Sequence, residues 1–267
     1  MQPNSVFIPG HFGEFLQGRM GPDGPVALIT IPCADVGVWA HHRPGRGLHL
    51  SGQVLPLSLA RRVLLDLGVA LRGHVRLRPV CPPALGTGVS TAALLALAHL
   101  AAGAAPTPHA LARACVRAEG ASDPLMYRRG DRILWASRRG DILAHLPLVP
   151  RYEVIGGFYG PRLRTRADDM AFPQIADLVR QWGQAHELAQ FAALASESAR
   201  RTLCLRGPAD DPTQAVAQRL GALGFCISHT GAARGLIFAP GTVPAGAAAA
   251  LLAAGLRGIR RFQGGGA

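Results

Sequence analysis

In the first half of the chain, short apolar runs rich in β-branched residues alternate with stretches whose apolar residues recur at helical spacing. That alternation restricts the fold to the α/β and α+β classes. Residues 26–31 (VALITI) and 36–40 (VGVWA) read as strands joined through 32–35 and followed by a turn over 41–47. Residues 48–57 alternate loosely as a further strand. Leu59, Val63, Leu64, Leu67 and Leu71 share one face of a helix over 58–71, with Ser58 as its cap. A strand over 75–80 runs through a glycine-bearing turn into a helix over 90–102. Thr107 and Pro108 then start a second helix, over 107–119. In the second half we expect strands at 152–158, 225–228 and 236–239, and helices at 173–187, 188–203, 212–224 and 244–254. Residues 264–267 read as a frayed tail. A domain boundary is expected near Pro147–Pro150, dividing the chain into 1–150 and 151–267.

Hydrophobic residues make up 49% and charged residues 16% of 267, which suits one large folded domain or two small ones. All 28 basic residues are arginine. The absence of lysine excludes a Walker A lysine, a pyridoxal Schiff base and a protein kinase with its strand lysine. Phosphate chemistry would have to use backbone N–H groups, arginine and a metal ion. The net charge of +12 is spread over scattered arginine pairs, with only nine Phe, three Tyr and three Trp available for base stacking, so no nucleic-acid partner is expected. The five cysteines contain no CxxC pair and read as buried free thiols in a reducing compartment. No signal peptide or membrane span is apparent, and a soluble, cytoplasmic protein without a membrane partner is expected.

Three segments carry candidate chemistry. The turn Gly86, Thr87, Gly88, Val89, Ser90, Thr91 joins a strand to a helix, where close backbone approach and free first-turn N–H groups favour an anion. The same turn is also ordinary capping structure. Glu119 and Asp123 suit a metal ligand and a group that orients or deprotonates a hydroxyl, or else a solvated helix end; Asp123, before Pro124, is expected in an exposed bend. Residues 228–236, with His229, Thr230 and Gly231, read as a hairpin turn. A fourth segment, 9–18, sets Glu14 and Gln17 among three glycines ahead of the first strand. His11, His41 and His42 read as packed or surface residues rather than ligands.

In this order the segments resemble the GHMP kinases, a family that includes galactokinase, homoserine kinase and mevalonate kinase. They resemble most its L-threonine kinase branch, associated with cobalamin synthesis. Pro9, Gly10, Gly13, Glu14, Gln17 and Gly18 match a PGxxGExxQG opening, and Gly86, Ser90, Thr91 and Ala92 match the phosphate loop. Glu119, Asp123 and Tyr127 match the acidic segment, and residues 228–236 the C-terminal glycine turn. The resemblance implies a two-lobed α+β fold, with a ribosomal-S5-like N-terminal lobe and a ferredoxin-like C-terminal lobe. It also implies ATP, Mg²⁺ and phosphorylation of a small alcohol, with L-threonine favoured. Residues 86–91 would cradle ATP, Ser90 and Glu119 would hold Mg²⁺, and Asp123 would act on the substrate hydroxyl. Glu14, Gln17, His229, Thr230 and Gly231 would line the substrate pocket, with Arg162, Arg164 or Arg234 for a carboxylate. Val89 stands where the family loop carries a serine, which keeps open a non-catalytic relative beside a kinase for another alcohol.

Overall fold

The structure, a computed structural model, describes residues 4–266. Its framework is a ten-stranded sheet, antiparallel except for one parallel pair. The first strand, β1 (Ser5–Arg19), contains the whole glycine-bearing opening segment, which the sequence placed ahead of any strand. Proline and glycine hid it from a propensity reading, but pairing on both edges and burial of every residue from 10 to 18 hold it extended. Register shifts between Pro9 and Gly10 and on both sides of Glu14 break its ladder with the next strand, re-aiming side chains along the middle of the sheet.

That next strand, β2 (Val26–Arg43), runs without interruption, so 32–35 is an irregularity within one strand rather than a loop between two. After it, β3 (Leu48–Ser51) pairs in parallel with β4 (Gly73–Pro79), and the strand expected over 48–57 is confined to β3. The intervening helix α1 (Leu57–Asp66) starts after Pro56, with no side-chain cap from Ser58. Helix α2 (Val89–Leu100) is apolar on nearly every face and packs against β1 and β2 as the centre of the main core. Helix α3 (Pro108–Glu119) begins as expected, Thr107 accepting from Ala110 N–H at 3.2 Å. A hairpin unforeseen in the sequence follows: β5 (Ile133–Ala136) and β6 (Asp141–His145), with Trp135 fully buried.

In the second half, β7 (Tyr152–Phe158), β8 (Gly224–Ile227) and β9 (Ala233–Phe238) join β1, giving the order β10–β7–β9–β8–β1–β2–β4–β3. The edge strand β10 (Arg257–Gly264) takes up the start of the expected tail, of which Ala267 lies outside the described residues. Four helices complete the element list: α4 (Ala176–Trp182), α5 (Leu188–Arg206), α6 (Thr213–Arg219) and α7 (Ala247–Ala253). Because β1 pairs with β2 on one edge and β8 on the other, the sheet continues past Pro147–Pro150; the main core draws on both sides, and a second apolar cluster lies wholly in the second half. No helix among the described residues is long and apolar enough to cross a membrane.

The loop before α6 is tied to β9 by a buried ion pair, Arg234 Nε to Asp211 Oδ2 at 2.7 Å. Removing one member leaves the other charged and desolvated. Arg234→Ala should therefore lower unfolding stability by about 3–5 kcal/mol in a denaturant titration.

Candidate active site

The chain leaves β4 through Cys81–Gly88 and enters α2 at a left-handed Gly88 (φ 70°), with no side-chain cap on the helix. Gly86 is also left-handed (φ 77°), and a Cβ there would lie 2.3 Å from the Thr230 carbonyl oxygen. The loop is thus pressed against the β8–β9 turn, and both Ala232 and Ala233 N–H donate to Leu85 O at 3.1 Å. A Cβ on Gly88 would lie 2.8 Å from the His11 ring and 3.2 Å from Asp123 Oδ2. Glycine at these positions lets one loop touch three distant segments. The result is an uncapped helix start facing a cleft of about 400 Å³ lined by all six residues from Gly86 to Thr91. Val89 is nearly all buried and belongs to the main apolar cluster.

The acidic segment meets this loop from the other side. Helix α3 ends at Glu119 with Gly120 in the left-handed conformation, so Glu119 and Asp123 do not share a helical face. Ser90 Oγ donates to Glu119 Oε1 across the cleft. Burial raises the Glu119 pKa; the Ser90 bond opposes this and the Asp123 charge adds to it. Asp123 is not in an exposed bend, since its side chain is only 26% exposed. Thr91 pins it, the hydroxyl accepting from Asp123 N–H and donating to Oδ2, both at 3.3 Å. The turn that carries it is anchored beneath by Trp135 Nε1–H to Ser122 O at 2.7 Å.

His11 is the site residue that the sequence reading set aside. Buried in β1, it places Nε2 3.4 Å from Asp123 Oδ1 and Nδ1 3.4 Å from Glu14 Oε1. Burial alone would lower its pKa, but the charge and hydrogen bond of Asp123, then Glu14, outweigh this and raise it to about 9. Burial also pushes Asp123 upward, yet His11, Thr91 and Arg138 together hold it below its usual range. Glu14 goes the other way: burial raises it to about 8 against the pull of His11, while its Oε2 accepts the His229 N–H. At neutral pH the trio is an imidazolium, an ionised Asp123 and a protonated Glu14.

Of the residues assigned to a substrate pocket, Glu14, His229 and Thr230 line the cleft, whereas Gln17 and Gly231 do not. Gln17 donates from Nε2 to Ile227 O at 3.0 Å and ties β1 to β8, and Gly231 abuts the loop backbone at Leu85 and Gly86. Of the expected arginines, Arg234 is committed to Asp211 and Arg162 lies off the cleft, while Arg164 lines it. Arg138, a second cleft residue that the sequence did not single out, donates to His229 Nε2 at 3.0 Å. No group of three or more metal-ligating side chains occurs among the described residues. Ser90 and Glu119 instead form a two-oxygen set, which suits a hard divalent cation completed by phosphate and water.

Comparison with known proteins finds no matching family model and no matching curated protein. Solved structures do match over nearly the whole chain. A phosphotransferase related to the CoA biosynthesis pathway superposes with a TM-score of 0.63 at 15% identity, covering 97% of this chain and 98% of that one. A protein described as a homoserine kinase from Listeria monocytogenes gives 0.63 at 16%, covering 97% and 94%. The mevalonate kinase of Methanococcus jannaschii gives 0.60 at 11%, covering 97% and 96%. The chain therefore shares the α+β fold of these phosphotransferase and kinase structures.

The raised pKa values of His11 and Glu14 fix the sign of a pH effect. His11 binds a proton more tightly folded than unfolded, so its stabilisation is complete below about 6.5 and is lost as pH rises through about 9. Glu14, raised from 4.5 to about 8, adds a loss of the same sign between those two values. Below pH 6.5 the buried His229, held well under its ordinary pKa, contributes in the opposite sense, so the melting temperature should fall from pH 6.5 to 9, and His11→Gln should reduce that fall. A wild-type melting temperature that rises across this range would contradict the assignment.

Proposed function

We propose that this protein is an ATP-dependent phosphotransferase acting on the hydroxyl of a small molecule, with L-threonine as the favoured acceptor and O-phospho-L-threonine as product. Convergence of the Gly86–Thr91 loop, the Ser90–Glu119 pair and Asp123 on one cleft carries this reading. In it, residues 1–150 form the ATP-binding lobe and 151–267 the second lobe. The L-threonine assignment, with a role in cobalamin side-chain synthesis, rests on the opening pattern from Pro9 to Gly18. The absence of any disulfide among five cysteines, four of them buried and Cys204 exposed, fits the cytoplasm.

The loop amides and the positive end of α2 would bind the nucleotide phosphates, a role that needs no lysine. Ser90 and Glu119 would hold Mg²⁺, which supplies charge neutralisation at those phosphates. The acceptor hydroxyl oxygen forms a bond to the γ-phosphorus, the bond from that phosphorus to the β,γ-bridging oxygen breaks, and ADP leaves. The hydroxyl proton passes to Asp123. Its depressed pKa makes Asp123 a weak base, so its part is to hold the hydroxyl in line and receive the proton as the bond forms. That suits a transfer governed mainly by positioning and charge. His11 keeps the carboxylate ionised and in place.

Purified protein with MgATP should release ADP on addition of L-threonine, more than with L-serine, L-homoserine or no acceptor. Asp123→Ala should lower this turnover by about 100-fold or more. Turnover untouched by that substitution would remove Asp123 from the chemistry. Glu119→Gln should raise the Mg²⁺ concentration required for half-maximal rate by about 10-fold or more, read from a metal titration at fixed ATP.

A further inference from the structure

Arg138 is a half-buried cation at the cleft wall that makes no direct ion pair with any described residue, Asp169 and Asp123 acting on its charge only from farther away. Its guanidinium meets Ser137 Oγ at 2.8 Å, His229 Nε2 at 3.0 Å and Arg166 O at 3.4 Å, all of them uncharged acceptors. Neighbouring arginines are paired: Arg206 with Asp169 at 2.6 Å and Arg234 with Asp211 at 2.7 Å. Arg164, which also lines the cleft, is exposed, so water solvates its charge.

His229 is what holds Arg138 without neutralising it. A guanidinium can only donate, so Nε2 must accept and the imidazole is neutral, with its hydrogen on Nδ1. Burial, then the positive charges of Arg138 and Arg206, keep it from protonating. Stacking on Phe172, with ring centres 4.1 Å apart and 15° between planes, fixes the ring. A carboxylate in this place would orient Arg138 equally well but would cancel its charge. Ser122 adjoins the pair through its N–H to Ser137 O at 2.9 Å. Ser122 Oγ, Arg138 Nε and His229 Nδ1 are each buried with no hydrogen-bond partner, so this wall is polar, cationic and incompletely satisfied. Asp123 follows Ser122 directly in the chain.

We propose that Arg138, oriented by His229, binds the carboxylate of the acceptor, so that the acceptor is a short hydroxy acid or hydroxy amino acid presenting its hydroxyl to Asp123. The assignment rests on the phosphotransferase reading above and gives the acceptor's carboxylate its binding residue.

The test compares L-threonine with L-threoninamide, which keeps the hydroxyl and loses the anion. Wild-type kcat/KM should favour the acid by about 100-fold, and Arg138→Met should bring that ratio close to one with the KM for ATP unchanged. Because the ratio is taken within one variant, partial misfolding does not alter it, and Arg138→Lys should restore part of the preference. An unchanged ratio, or an equal fall in kcat for acid and amide, overturns the proposal; the second result would assign Arg138 to the transferred phosphoryl group. Displacement of a fluorescent ATP analogue by MgATP reports the nucleotide site separately. Turnover of uncharged alcohols but of none of L-threonine, L-serine and L-homoserine overturns the carboxylate assignment alone, and absence of nucleotide binding or of any turnover overturns the reading beneath it.

Discussion

The site depends on one buried imidazole held between two carboxylates. His11 in β1 reaches Asp123 beyond α3 on one side and Glu14 in its own strand on the other, while Glu14 accepts the backbone N–H of His229 at the β8–β9 turn. Three segments far apart in sequence are thereby fixed around one proton-binding cluster. Three ionised groups of this kind would be costly in a buried place, so the cluster settles as one cation, one anion and one neutral acid. The ionised carboxylate, Asp123, is the more exposed of the two.

The same economy governs the positive charge. Without lysine, the protein draws on an imidazolium, guanidinium groups and backbone N–H groups. Each does something a flexible ammonium would do less well. The glycine loop brings amides to the cleft, His11 holds Asp123 at close range, and Arg138 is a planar donor braced by a neutral histidine. Most other arginines with a role in the fold are consumed in pairs, such as Arg201 with Asp177 and Glu197.

Much of this was legible in the sequence wherever the information is local. The helix start at Thr107–Pro108, the glycine loop before α2 and the hairpin around residues 228–232 follow from turn and capping chemistry, and the structure has all three. Residues 5–19 did not read as a strand, because proline and glycine suppress local propensity and tertiary burial overrides it. His11 reads as an isolated histidine because its decisive partner is 112 positions away in the chain (123 minus 11). Arg138 lies in one of several arginine pairs and gains its meaning only from His229. Gln17 lies in the opening pattern, yet its side chain fastens β1 to β8 rather than entering the cleft. Motif spacing identifies which segments matter; which side chain in each faces the ligand is set by strand register, and two bulges beside Glu14 alter that register.

The direct test of the central claim is the protonation state of His11, followed by nitrogen-15 chemical shifts of the imidazole ring as pH is raised. The account predicts a doubly protonated ring at neutral pH that loses its proton near pH 9, well above an ordinary histidine, and that titrates lower in Asp123→Asn. A neutral ring at pH 7, or a titration indifferent to Asp123, would contradict the view that this cation holds the Asp123 carboxylate in its charged form.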